Sequence, residues 1–307
     1  MSEGGEEGRG GGATSSSKRP PANPPGRRRF GPPWPELVGR RKPEDIGPLR
    51  ATAAACRLAR AICALLAVAA GTAFLSPFID TGGPSRSATG WRKAAARLIL
   101  LALGLRLKER WAPPRDTGRG RLVVANHVSW VDALALGAAC GAVFVAYERA
   151  WPLVGWLMRR FGTVAIPRGA TGGLKPAVRA AADRLVAGAV VGAFPEGTTS
   201  FGPGVLELKP AFFQAAADAG ATLSVAAIRY RTRASEPSPE RVIHWVDWTP
   251  LFVHAYRLVA AAPAVLELRW LATIETRGRD RRSLAAEAEG LLQGYLVGGA
   301  EASPPAS

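Results

Sequence analysis

The most apolar stretch of the chain is Ala61 to Ile79, AICALLAVAAGTAFLSPFI, nineteen residues without a charge. It is just long enough to cross a hydrocarbon layer of about 30 Å, and Pro77 is expected to kink or end it. Arg57 and Arg60 precede it; Arg86, Arg92 and Lys93 follow, so its flanks carry no clear positive-inside asymmetry. A second run, Ala94 to Leu107, is interrupted by Arg97 and Arg106 and is too short to span. The pattern predicts two helices, joined by the Gly/Pro/Ser-rich link Thr81 to Gly90, that dip into one leaflet. The alternatives are a true single span by the first helix and a buried helical hairpin.

From Arg121 the pattern becomes that of an α/β protein. Short apolar runs read as strands at Leu122–Ala125, Ala142–Ala146, Thr163–Ile166, Val190–Phe194, Thr222–Ile228 and Ala264–Trp270. Helical stretches fall between or after them, at Ala133–Ala139, Leu153–Phe161, Leu174–Ala187, Ala211–Ala219 and Arg282–Leu296. This alternation predicts a mixed, largely parallel sheet flanked by helices and preceded by the membrane-associated helix pair. The expected organisation is a disordered basic Pro/Gly-rich tail over 1–48, membrane-anchoring helices over 49–110, a catalytic domain over 111–297 and a frayed tail over 298–307.

Charge narrows the partners. Across 307 residues, Lys+Arg outnumber Asp+Glu by 40 to 24, a net charge of +16, which suits an anionic partner such as phospholipid head groups. No folded recognition module accompanies the basic clusters Arg27-Arg28-Arg29 and Arg40-Arg41-Lys42, which argues against specific nucleic-acid binding. The first apolar run starts too late for a secretory signal. Cys56, Cys63 and Cys140 form neither a disulfide framework nor a metal cluster and read as small apolar residues. No metal spacing or nucleotide fingerprint stands out, so neither metal nor cofactor is expected.

The chemistry concentrates where strands end. After the apolar Leu122-Val123-Val124 comes Ala125-Asn126-His127-Val128-Ser129-Trp130-Val131-Asp132, a strand, a tight turn and a helix start. A histidine there, with a carboxylate five residues on, can have one tautomer fixed and act as a general base. Such a pair is common by chance, but it does not stand alone. Phe194-Pro195-Glu196-Gly197-Thr198-Thr199-Ser200 follows the apolar strand Ala189–Ala193, and Gly162-Thr163-Val164-Ala165-Ile166-Pro167-Arg168 lies between the two blocks. Together the three resemble the NHxxxxD, GxxxIxR and FPEGTxS blocks of the glycerolipid acyltransferase family, in that order and at about that spacing. The resemblance covers roughly residues 90–295.

It implies an enzyme of the membrane, at the cytoplasmic face, that moves an acyl chain from acyl-CoA or acyl carrier protein to a lysophospholipid hydroxyl. His127 would be the base and Asp132 the group that orients it and stabilises the imidazolium. Glu196, Gly197 and Thr198 would bind substrate, with Gly197 permitting the close backbone approach an oxyanion site needs. Arg168 would grip the acceptor's anionic head as a bidentate donor. Asn126 and Ser129 would shape the turn, and Ser129 could cap the next helix. Lys209 is either a contact for the donor's phosphates or a solvated lysine. His244 and His254 read as structural.

Two departures matter. A fourth family block, usually Val-x-Pro-Val/Ile, is Val225-Ala226-Ala227-Ile228 here, with alanine in place of proline. Trp245-Val246-Asp247-Trp248 with His254 is similar to a pattern of the lyso-ornithine lipid acyltransferase branch. The acceptor is therefore 1-acyl-glycerol-3-phosphate, giving phosphatidic acid, or alternatively a lyso-ornithine lipid or another lysophospholipid. A non-catalytic membrane adaptor is the remote alternative, against which the intact His127, Asp132, Arg168 and Glu196 count.

Overall fold

Strand β2 (Arg121–Ala125) is buried at every position and lies in the middle of the sheet. The computed structural model describes residues 48–111, 119–147, 152–166, 174–232, 242–246, 249–261 and 263–298, all within the unit Gly31–Ser307. Seven strands run in the order β1-β7-β6-β2-β5-β3-β4. The others are β1 (Leu105–Arg110), β3 (Val143–Tyr147), β4 (Val164–Ile166), β5 (Val190–Ala193), β6 (Thr222–Arg231) and β7 (Ala264–Glu275). Neighbours pair in parallel except β6 with β7, so the sheet is mixed and largely parallel, as the alternating pattern predicts.

Period-2 alternation divides the core between the two faces. Val123 and Ala125 of β2, with Ala226, Ile228 and Tyr230 of β6, pack under α3 (Val131–Cys140) and α2 (Arg86–Ala102). Leu122 and Val124 face the other way with Leu223, Val225 and Ala227. That side is closed by Phe213 of α6 (Ala211–Ala219), Leu185 of α5 (Lys175–Val186) and Leu284 of α8 (Arg281–Gly298). Burying one such Leu or Phe side chain contributes about 1.5–3 kcal/mol.

At the N-terminal end, α1 (Pro48–Leu75) contains a 24-residue apolar stretch, Thr52–Leu75, with mean hydropathy 2.0 and only 17% of its most apolar window buried. The helix stops before Ser76-Pro77, as expected of a proline that cannot continue it. Its long-range polar ties run to α7 (Leu251–Ala260) and α2. Arg57 donates to the carbonyls of Val259 and Ala261 at the end of α7, and Arg60 donates to Ala102 at the end of α2 (3.2 Å). Near its other end, Thr72 accepts from the indole N–H of Trp91 on α2 (3.0 Å). Cys56 and Cys63 are exposed on this helix; Cys140 is buried, and burial pushes its thiol up to about 11.

One expectation fails. The run Ala94–Leu107 is not one helix: α2 ends at Ala102, Gly104 adopts φ +83°, and β1 begins at Leu105. Leu105-Arg106-Leu107 alternates buried, exposed and half-buried, a period of two that an edge strand satisfies by pairing with β7. Other elements also depart from the expected bounds: β6 runs on to Arg231. β7 continues to Glu275, and α7 forms where no helix is predicted. All but the last residue of the tail expected over 1–48, and all but the first of that over 298–307, lie outside the described residues.

Candidate active site

Three strand ends build the site: β2, its parallel neighbour β5, and β6 on its other side. Beyond Ala125 the backbone ladder of β2 gives way to a side chain. Asn126 donates through Nδ2 to Ile228 O (3.0 Å) and accepts from Ile228 N (2.8 Å), splicing the turn onto β6. His127 follows, its side chain about one-fifth exposed. Its ring stacks on Phe194 at 4.1 Å between centroids, tilted by 14°. Phe194 in turn lies over Phe144, whose ring passes where a Cβ on Gly192 would fall, at 2.4 Å. Glycine at that point of β5 admits the ring that supports the stack.

Asp132 is fully buried and sits in the first turn of α3. Its Oδ2 accepts from Val128 N (2.7 Å) and Ser129 N (2.8 Å) and lies 3.0 Å from His127 Nδ1. Ser129-x-x-Asp132 is thus the acidic half of a capping box, with the carboxylate placed where the helix dipole favours it. Ser129 Oγ faces Val131 N at 3.4 Å. Since a carboxylate only accepts, Nδ1 carries the ring proton and Nε2 is the unprotonated nitrogen. The other carboxylate oxygen, Oδ1, accepts from the Tyr230 hydroxyl at 2.6 Å. Tyr230 is buried, and burial together with the charge of Asp132 holds its phenol well above the ordinary tyrosine range.

Glu196 lies behind His127. It is 2% exposed, and both its oxygens are engaged: Oε1 accepts from His127 N (2.6 Å) and Oε2 from Leu206 N (3.0 Å). Burial pushes this carboxyl up to about 7, against the pull of those two amides. Gly197, at φ +71°, turns the chain and closes on Phe194 O through its N–H (3.0 Å). A Cβ there would meet the Lys209 ammonium at 2.4 Å, so the turn needs glycine and the exposed Lys209 lies across it. Thr198 is exposed on that turn. Ser200 N donates to His127 O (2.7 Å), a second link between the two blocks.

The segment around Trp245 also closes on the site. Trp245 N donates to Val128 O (2.7 Å), and the Thr199 hydroxyl donates to Trp245 O. His254, buried on α7, accepts at Nδ1 from the Trp130 indole (3.0 Å), which leaves Nε2 to donate to His244 O (3.2 Å). Both its nitrogens are engaged in structure. Arg168 lies outside the described residues, just past β4. The alanine in the proline position, Ala227, makes no turn here: β6 runs straight through it, with a register shift against β7 between Val225 and Ala226. Tyr230 has no place in the three blocks. The signal for it is its β6 face, shared with Ala226 and Ile228. Among the described residues no group of three or more His, Cys, Asp or Glu side chains could hold a metal ion.

Comparison with known proteins fits this arrangement. The Acyltransferase family model matches residues 108–229. A 1-acyl-sn-glycerol-3-phosphate acyltransferase of Neisseria gonorrhoeae is 39% identical over 155 residues, which is 50% of this chain and 60% of that protein. The lyso-ornithine lipid O-acyltransferase of Pseudomonas aeruginosa is 34% identical over 179 residues, 58% of this chain and 68% of that one. Its counterpart in Brucella abortus is 31% identical over 234 residues, 68% of this chain and 85% of the relative. The crystal structure of the 1-acyl-sn-glycerophosphate acyltransferase PlsC from Thermotoga maritima shares the fold, with a TM-score of 0.56 at 20% identity, over 78% of this chain and 96% of that one. With His127 and Asp132 paired at the mouth of the central strand and relatives of this similarity, the chain belongs to the acyltransferase family that includes the 1-acyl-sn-glycerol-3-phosphate and lyso-ornithine lipid acyltransferases.

Proposed function

We propose that the chain transfers an acyl group from acyl-CoA or acyl carrier protein to the free hydroxyl of 1-acyl-glycerol-3-phosphate, by direct attack and without an acyl-enzyme. The observation that carries this reading is the 3.0 Å contact between His127 Nδ1 and the buried Asp132, on a ring that remains partly open to solvent. Nε2 takes the acceptor's hydroxyl proton as its oxygen attacks the thioester carbonyl. Asp132 stabilises the imidazolium that forms. As the tetrahedral intermediate collapses, the C–S bond breaks, the ester C–O bond remains, and the imidazolium returns its proton to the departing thiolate. The Gly197-Thr198 turn is assigned the oxyanion; since Gly197 N–H is committed to Phe194 O, the amide of Thr198 is the nearer candidate. Glu196 acts from behind, holding the backbone of His127 and of Leu206. Arg168 is assigned the acceptor's phosphate on its place in the middle block.

The site works at a membrane surface. Ile62, Leu66 and Phe74 of α1, with Leu98 and Leu101 of α2, are large apolar side chains left exposed. Because α1 is tied at one end to the end of α7 and near the other to α2, immersion of the helix pair in one leaflet is favoured over a perpendicular span. A second reading changes only the acceptor, to a lyso-ornithine lipid. It is favoured by the bonds that join Trp245 and His254 to Val128 and Trp130, and by the relatives named for that activity. Labelled oleoyl-CoA offered with lysophosphatidic acid, lysophosphatidylcholine or lyso-ornithine lipid, to wild type and His127→Ala, decides between them. Transfer to lysophosphatidic acid that vanishes in the variant supports the first reading. Transfer to lyso-ornithine lipid alone establishes the second.

A further inference from the structure

We infer that Tyr230 is a positioning residue for acyl transfer: its phenol holds Asp132 in the rotamer that presents Oδ2 to His127. The inference rests on the proposed role of the His127–Asp132 pair and extends it to the long strand β6.

The donors to Asp132 fall into two sets. Those on Oδ2 are local, from His127, Val128 and Ser129, and any chain folding this turn would make them. The only donor to Oδ1 among the described residues comes from Tyr230, 98 positions away in sequence. Its placement is a consequence of strand length. β2 ends at Ala125, in register with Ala226, whereas β6 continues past it to Arg231. Tyr230, four residues beyond Ala226 and on the same face, therefore overhangs the end of β2 and meets the first turn of α3. Asp132 has no exposed surface, so bulk solvent does not compete with the phenol for Oδ1. Without that bond the carboxylate is free to rotate, and the alignment of its Oδ2 with Nδ1 is lost for part of the time.

The phenol also tempers the charge. As a neutral donor it takes up part of the negative charge of Asp132 at Oδ1, the oxygen turned away from the imidazole. Tyr230 can do this across the working pH range because burial and the neighbouring charge hold its hydroxyl protonated. Nothing in the chemistry requires Tyr230 to give up its proton or to touch substrate.

Tyr230→Phe removes one oxygen and leaves the ring in the core under α2 and α3, edge-on to His244. The expected result is a fall in kcat of about tenfold, with the acceptor KM within about twofold of wild type. The acid limb of kcat/KM should move up by about half a pH unit, because an Asp132 with one donor fewer attracts the imidazolium more strongly. In an Asp132→Asn background the same change should cost less than about twofold, since the group through which Tyr230 acts is already altered. Wild-type kcat and pH profile in Tyr230→Phe would overturn the inference. So would a loss of kcat with an unmoved acid limb, the mark of a purely structural role, or two effects that multiply in the double variant. If Asp132→Asn alone turns over normally, the His–Asp reading itself fails, and that result is separate from any property of Tyr230.

Discussion

Glu196→Gln makes the buried carboxyl the most informative place to perturb. In the folded protein this group titrates near 7 instead of at its ordinary 4.5, because burial disfavours the charged form more than the amides of Leu206 and His127 favour it. A carboxyl with a raised folded pKa binds its proton more tightly in the native state than in the unfolded one. Its contribution to stability is therefore greatest below about pH 4.5, declines as pH rises through 7, and is lost above. The difference between 4.5 and about 7 corresponds to about 3 kcal/mol across that window. Glutamine carries no charge and escapes this decline. It brings a different cost, since one carbonyl must serve two amide donors and leaves one buried N–H facing its NH2, at about 1–3 kcal/mol. The variant should be less stable than wild type at pH 5 and comparable or slightly more stable at pH 8.5. The gap between them should shift by about 3 kcal/mol over that range. Urea unfolding in detergent micelles, followed by tryptophan fluorescence at a series of pH values, measures it. Parallel pH profiles for the two proteins would refute the reasoning, because they would mean that Glu196 ionises as readily inside the protein as outside.

Other perturbations test the remaining contacts. Asp132→Asn should lower kcat by about 1,000-fold with little change in acceptor KM, since an amide cannot serve the same donors or stabilise an imidazolium; steady-state kinetics on purified membranes reads this, and an unchanged rate refutes the orienting role. Replacing Ile62, Leu66 and Phe74 together by Asp should cut retention on phospholipid vesicles by more than about tenfold while leaving the folded α/β body intact, measured by flotation and circular dichroism. Undiminished flotation would contradict immersion of α1. Tyr230→Phe, alone and with Asp132→Asn, completes the set with the pH and double-variant outcomes given above.

Much of the fold is legible along the chain because each face of the sheet imposes its own period. Leu122 and Val124 point one way, Val123 and Ala125 the other, and the helices between strands carry the complementary apolar faces. The strand β1 escapes that reading because Arg97 and Arg106 mark the same apolar stretch on either side of a break. Nothing in the residue types separates a 3.6 period from a period of two until Gly104 takes its positive φ. The His127–Asp132 pair is legible because turn and helix bring the two together within five residues. Glu196 is legible as part of the site, but its orientation is not: its oxygens point inward to two amides, one of them ten residues further along the chain. For Tyr230 the alternation of β6 gives the face but not the partner. Its approach to Asp132 depends on β6 outrunning β2, and strand length relative to a neighbour is set by pairing, not by the residues of one strand. His254 is comparable, since only the packed helix α7 reveals that its two nitrogens bridge Trp130 and His244.

The most direct test of the central claim is acyl transfer from labelled oleoyl-CoA by purified membranes carrying wild type or His127→Ala, with the acceptors named above and acyl carrier protein as a second donor. If Nε2 of His127 takes the hydroxyl proton, transfer to a lysolipid should fall by at least about 1,000-fold in the variant, while its membrane content and folding match wild type. Turnover within a few-fold of wild type in His127→Ala would contradict direct general-base catalysis at the mouth of β2.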